Sequence, residues 1–176
     1  MKEFKLLLTN PRELIAGVAR ETIPNNTLLI ILFFTFVSVY LQTGSLDYSS
    51  MMAVLKIAAI FVLSIITVLV LVVLRSQILN WAASFFKKSD EAKNIRFAIS
   101  YSLFPLIFVL IIWSWASSSM VWLFVLSLLV MWSYLILTLM VSQLKKVNLL
   151  QSILSILIAD AILALPMLII SVIFQG

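Results

Sequence analysis

Read for hydrophobicity alone, the chain divides into long apolar runs joined by short polar segments. The runs occupy about residues 27–43, 51–74, 97–115, 120–142 and 149–174. Each falls at or near the roughly 17–25 apolar residues with which a helix crosses a bilayer. The pattern therefore predicts an all-α, polytopic membrane protein with five transmembrane helices in a single domain, 27–176, behind a segment 1–26. The second run is the longest uninterrupted one, because neither Gly nor Pro occurs between Met51 and Phe86. As one helix those residues extend about 54 Å at ~1.5 Å each, well beyond a ~30 Å hydrocarbon core. Arg75, Ser76, Gln77 and Asn80 mark where this span leaves the membrane. Ile78, Trp81, Ala82 and Phe85 then recur at helical spacing, which predicts an amphipathic extension lying along the interface.

The polar segments add a second amphipathic element. Asn10 suits an N-cap, Pro11 the first helical position, and Glu13 the third place of a capping box. Leu14, Ile15, Val18 and Thr22 share one side, Arg12, Glu13, Arg20 and Glu21 are polar, and Pro24 ends the run. This segment is expected to lie on the membrane surface. The preceding residues are not read as a secretory signal, since their apolar stretch is short and no small-residue cleavage site follows.

Composition narrows the class. Of 176 residues 64% are hydrophobic and 11% charged, whereas about a quarter of an ordinary soluble domain is charged. Cys and His are both absent, which removes disulfides, thiolate catalysis, haem ligation, His-containing zinc sites and imidazole proton relays. No cofactor is expected, and the chain is read as non-enzymatic. The many serines show no spacing to a lysine that would favour a Ser–Lys dyad.

The net charge is +5, with 12 Lys and Arg. Lys2, Lys5, Arg12 and Arg20 precede the first run. Arg75, Lys87, Lys88, Lys93 and Arg96 follow the second, and Lys145 and Lys146 follow the fourth. The alternate connections carry none, and Lys56 alone lies inside a run. The positive-inside rule makes the basic side cytoplasmic, giving N-in and C-out in a multi-pass cell-membrane protein. Anionic inner-leaflet lipids account for the charge, so no nucleic-acid partner is expected. Arg75, Lys87, Lys88, Lys93, Arg96, Lys145 and Lys146 are the candidate contacts to those lipids or to a protein partner. Tyr40, Tyr48, Trp113, Trp115 and Trp122 near outer ends and Trp81 near the inner one suit headgroup depth.

Residues 86–105, FKKSDEAKNIRFAISYSLFP, join a charged helix start directly to an apolar span. Ser89 suits an N-cap, Asp90 and Glu91 complement the positive end of the helix dipole, and Lys93 and Arg96 sit at headgroup level. Pro105 removes a backbone donor and frees the carbonyl of Tyr101, which needs a partner in lipid. A kinked, protein-facing inner half around Ser100, Tyr101 and Ser102 is expected.

A charged, capped helix leading into Ser100-Tyr101-Ser102-Leu103-Phe104-Pro105 resembles the third span of the Ypt-interacting protein (Yip) domain family. The opening LLLTNPREL also resembles the Leu-x-x-Pro start and amphipathic helix of prokaryotic members. Five spans, N-in and C-out, match that family's topology over nearly the whole chain. Ser100 stands where a Gly is usual, and the Asp-Leu-Tyr-Gly-Pro signature of eukaryotic members is absent, which removes the argument for a small-GTPase partner. The resemblance implies a membrane-organising or trafficking-type adaptor working through its cytoplasmic face.

Two ionisable residues lie within the runs. Asp160 falls near the middle of the fifth, where a carboxylate costs about 2.5–3.5 kcal/mol on insertion scales. The surrounding Leu, Ile and Val offset that cost, so insertion does not explain its presence, and an intramembrane carboxylate is a functional candidate. Its alternative is a structural bond to backbone freed by Pro166 or to a neighbouring hydroxyl. Lys56 lies near the outer end of the second run and is expected to snorkel outward, since pairing with Asp160 requires it to reach about two turns deeper. Asn148, Ser152, Ser155, Ala159 and Pro166 form one stripe on the fifth run, and Ser127, Tyr134 and Thr138 another on the fourth. Both are read as close-approach faces between helices. The alternative function is a small transporter or channel, assembled as a homo-oligomer and using Asp160.

Overall fold

The computed structural model describes residues 10, 13, 27–43, 51–86, 92–115 and 120–175. These form five α-helices: α1 (Thr27–Thr43), α2 (Met51–Ser84), α3 (Ala92–Trp115), α4 (Met120–Lys145) and α5 (Leu149–Gln175). Four of them, α2 to α5, contain stretches long and apolar enough to cross a membrane, and α1 is a shorter apolar helix. At 17 residues it measures about 25 Å. The chain is thus an all-helical protein of membrane-spanning type. Of the N-terminal segment, only Asn10 and Glu13 are described. The Glu13 amide donates to the Asn10 side-chain oxygen at 3.4 Å, as a capping box requires, and the Asn10 amide group donates to the Glu13 carboxylate. The rest of the expected surface helix lies outside the described residues, as do Lys87, Lys88 and the Lys93 side chain.

The helices close a ring in the order α1, α2, α5, α4, α3 and back to α1, and α2 also meets α3 across it. In lipid, apolar surface gains nothing by turning inward, so helices associate where small and hydroxyl-bearing residues allow close approach. That is how this interior is built. Ser100 and Ser102 of α3, Ser133 of α4, and Ser152, Ser155 and Ala159 of α5 are all buried. Ser133 donates across to the Ser102 carbonyl at 2.6 Å, and Ser152 to the Thr138 carbonyl at 2.8 Å. Other hydroxyls turn back on their own helix: Thr35 to Ile31, Ser100 to Arg96, Ser155 to Gln151. Each donor is thereby satisfied without water.

Pro105 lies inside α3, which continues through it. Tyr101 is among the largest fully buried side chains, its ring tilted against Phe97 with centroids 4.3 Å apart, so this part of α3 faces protein as expected. The cross-helix hydroxyl near the proline reaches the carbonyl of Ser102, one residue beyond the one expected to need it. Pro166 lies inside α5 and is exposed.

The α2 extension differs from expectation. It does not peel away along an interface but continues the span as one 34-residue helix. Leu79, Ala82 and Ala83 there are completely buried, while Trp81 and Phe85 point outward and meet edge to face with ring centroids 4.6 Å apart. Ala82, expected on the same face as Trp81 and Phe85, lies on the opposite one. The small residues admit neighbouring helices and the large aromatics do not fit between them.

The α4–α5 turn is tightly specified. Lys146 has φ 52°, a left-handed conformation normally taken by Gly. The Val147 amide returns to the Ser142 carbonyl, the long bond of a Schellman motif. Asn148 and Gln151 then exchange side-chain and backbone bonds, a capping box that starts α5.

Candidate functional site

The fifth helix carries its carboxylate about 16 Å from its start, eleven residues at ~1.5 Å each, which is roughly mid-depth for a ~30 Å core. Its partners come from two other helices. Arg75 Nη2 of α2 lies 2.8 Å from Asp160 Oδ1 and donates to Oδ2 at 3.0 Å. The Tyr134 hydroxyl of α4 donates to the same Oδ2 at 2.9 Å. The two charged side chains keep 22% and 26% of their surface exposed. Arginine suits this position because its delocalised charge is weakly hydrated and its planar fork matches a carboxylate.

The polar cluster forms part of the wall of a cavity of about 400 Å³, to which all five helices contribute. Phe34 of α1, Leu71 and Val72 of α2, Ile99 and Leu103 of α3, and Leu163 of α5 make most of the remaining lining. Other cavities between α1 and α2, α3 and α4, or α4 and α5 are each lined by two helices and contain no charged residue.

A second polar link joins the helix ends. Lys145, 1% exposed, donates through Nζ to the Asn80 side-chain oxygen. It closes α4 and also complements the negative end of that helix. The C-terminal ends of α2 and α4 therefore lie at the same end of the bundle, where Arg96 and Lys146 are exposed.

These placements agree with the outward position expected of Lys56 and revise the roles expected of Arg75 and Lys145. Lys56 does not pair with Asp160: it is exposed and lies nineteen residues, about 28 Å of helix, from the residue that does. Arg75 and Lys145, expected among the outward lipid or partner contacts, are turned into the protein and bonded there. Both bind a polar group on another helix, which is how long cationic side chains become tolerable at membrane depth. Tyr134 was legible only as a member of a packing stripe. Within that stripe, the phenol is the one group with reach enough to cross to α5. Among the described residues no cluster of carboxylates could hold a metal ion.

No family model, curated protein or solved structure matches the chain.

Proposed function

We propose that this chain is a five-span membrane protein, N-in and C-out, acting as a membrane-organising or trafficking-type adaptor of Yip-domain character through its cytoplasmic end. The observation that carries the reading is the division of its charges. Those within the bundle are consumed by one another: Asp160 by Arg75 and Tyr134, Lys145 by Asn80. Lys56 is exposed toward one end, whereas Arg96 and Lys146 face outward at the other, beside Trp81 and Phe85. Such an end suits anionic headgroups and a protein partner. A carboxylate already held by a guanidinium and a phenol is poorly placed to carry a solute.

The five-helix cavity favours a second reading, a small transporter or channel. Protein in liposomes separates the two. The adaptor reading expects no solute or ion flux that Asp160→Asn abolishes, and expects Arg96→Glu with Lys146→Glu to weaken binding to anionic vesicles. Asp160-dependent flux, with those reversals silent, would establish the transporter. Sidedness is checked by single-Cys labelling, which has no native thiol to compete: Met120→Cys should react from outside and Lys146→Cys from the cytoplasm.

A further inference from the structure

Arg75 and Asp160 stand where the packing of two helices ends. Among the described residues, the buried positions of α2 begin at Val72 and those of α5 end at Ala159. Beyond them, away from the end where Lys145 meets Asn80, neither helix buries a described side chain. The five-helix cavity lies at this boundary, with Val68, Leu71 and Leu163 on its unburied side. Leu71 is 52% exposed, so the mouth of the cavity meets the lipid-facing surface. Arg75 and Tyr134 also hydrogen-bond to each other, and with Asp160 they form one polar unit of zero net charge. The carboxylate is the member with capacity left. Its oxygens accept about four bonds and receive three contacts, two from Arg75 and one from Tyr134.

We infer that this cavity binds an uncharged lipophile whose polar end is a hydroxyl group, donating to Asp160, with its carbons against Leu71, Ile99, Leu103 and Leu163. Each property of the site selects for one property of the ligand. A neutral cluster in apolar walls returns nothing for the desolvation of an ion. A phospholipid keeps its headgroup at the surface, about 15 Å from the middle of a ~30 Å core. Only its tail reaches the cavity, and a tail leaves the carboxylate unmatched. An uncharged hydroxyl enters the core at far lower cost than an ion and recovers that cost in a charge-assisted bond. Carboxylate oxygens accept and do not donate, so Asp160 favours an alcohol over the corresponding ether. The cavity, at about 400 Å³, lies within the roughly 300–1,000 Å³ of small-ligand sites. This inference does not rest on the adaptor reading.

The test uses full-length protein in phosphatidylcholine liposomes and a hexadecanol bearing a photoreactive diazirine in its chain. Hexadecanol, its methyl ether and hexadecane serve as competitors, and the labelled residues are mapped by mass spectrometry. Labelling should fall on the cavity lining, and hexadecanol should compete about tenfold better than the ether, the worth of one hydrogen bond to a charged group. Leu71→Trp, at the mouth and clear of the ion pair, should reduce labelling to background. Asp160→Asn, which removes the charge, should erase most of the alcohol's advantage; should that variant fail to fold, the wild-type competition and Leu71→Trp decide the matter. Equal competition by all three compounds would overturn the hydroxyl and leave a slot for lipid tails. An alcohol advantage that survives in folded Asp160→Asn would overturn Asp160 as the acceptor. Undiminished labelling of Leu71→Trp would overturn the site.

Discussion

The two parts of α2 invert the rule familiar from soluble proteins. Residues 51–71 are almost wholly apolar, yet none of them is buried. Residues 72–84 include Arg75, Ser76, Gln77, Asn80 and Ser84, yet Val72, Ser76, Leu79, Ala82 and Ala83 are buried. The more polar part of the helix is the better packed one. Lipid tails solvate Leu and Val as well as a protein interior does, so hydrophobicity gives the first part no reason to turn inward. The second part carries groups that lipid cannot satisfy: Arg75 and Asn80 find partners on other helices, and Ser76 and Ser84 bond back to carbonyls of α2 itself. The large exposed hydrophobic side chains of this part are Leu74 and Trp81, with Phe85 just beyond its end, and they face away from those contacts.

The largest expected effect lies at the ion pair. Arg75→Leu or Asp160→Leu alone strands a charge and should lower stability by about 3 kcal/mol, the lower end for a buried pair because both side chains keep some exposure. Arg75→Leu combined with Asp160→Leu should recover most of that loss. Thermal unfolding of the four proteins in one detergent gives the coupling energy; additive losses would mean that the pair does not hold α2 to α5.

Next comes the contrast within α2 itself. Leu79→Ala opens a cavity in the core and should cost about 2 kcal/mol, the low end for such changes since lipid supplies little transfer term. Leu63→Ala, on the exposed part, should stay within about 0.5 kcal/mol. Similar losses at both positions would show that residues 51–71 are covered, for instance by a second copy of the chain.

Lys146→Gly relieves the left-handed residue of the α4–α5 turn and should stabilise the protein by about 1 kcal/mol. It leaves both parts of α2 untouched and so calibrates the measurement. Smallest is the interhelical hydroxyl: Ser152→Ala removes its bond to the Thr138 carbonyl and should cost about 0.6 kcal/mol. A loss near that at Arg75 would place the two polar contacts of α5 in one class, and the ion pair would lose its special standing.

The helical runs and their approximate ends were written in the sequence, because a bilayer-sized apolar stretch has few alternatives once backbone groups must be satisfied internally. The small-residue stripe at Ser152, Ser155 and Ala159 was legible too, since close approach leaves a compositional trace. Asp160 announced itself as an ionisable group in an apolar run. Its partners did not. Lys56 was nearer to the expected depth than Arg75, and Arg75 was counted as an exit residue because counting assumes that each span begins and ends at the same levels. Helices apolar around their whole circumference carry no strong face, so neither rotation nor axial offset follows from hydropathy. The ring order that places α2 beside α5, the long side chains of Arg75 and Tyr134 that close on one carboxylate, and the cavity left between all five helices were decided only when the helices met. Those choices depend on shape and on matching a few polar groups across space, and no periodicity along a single helix records them.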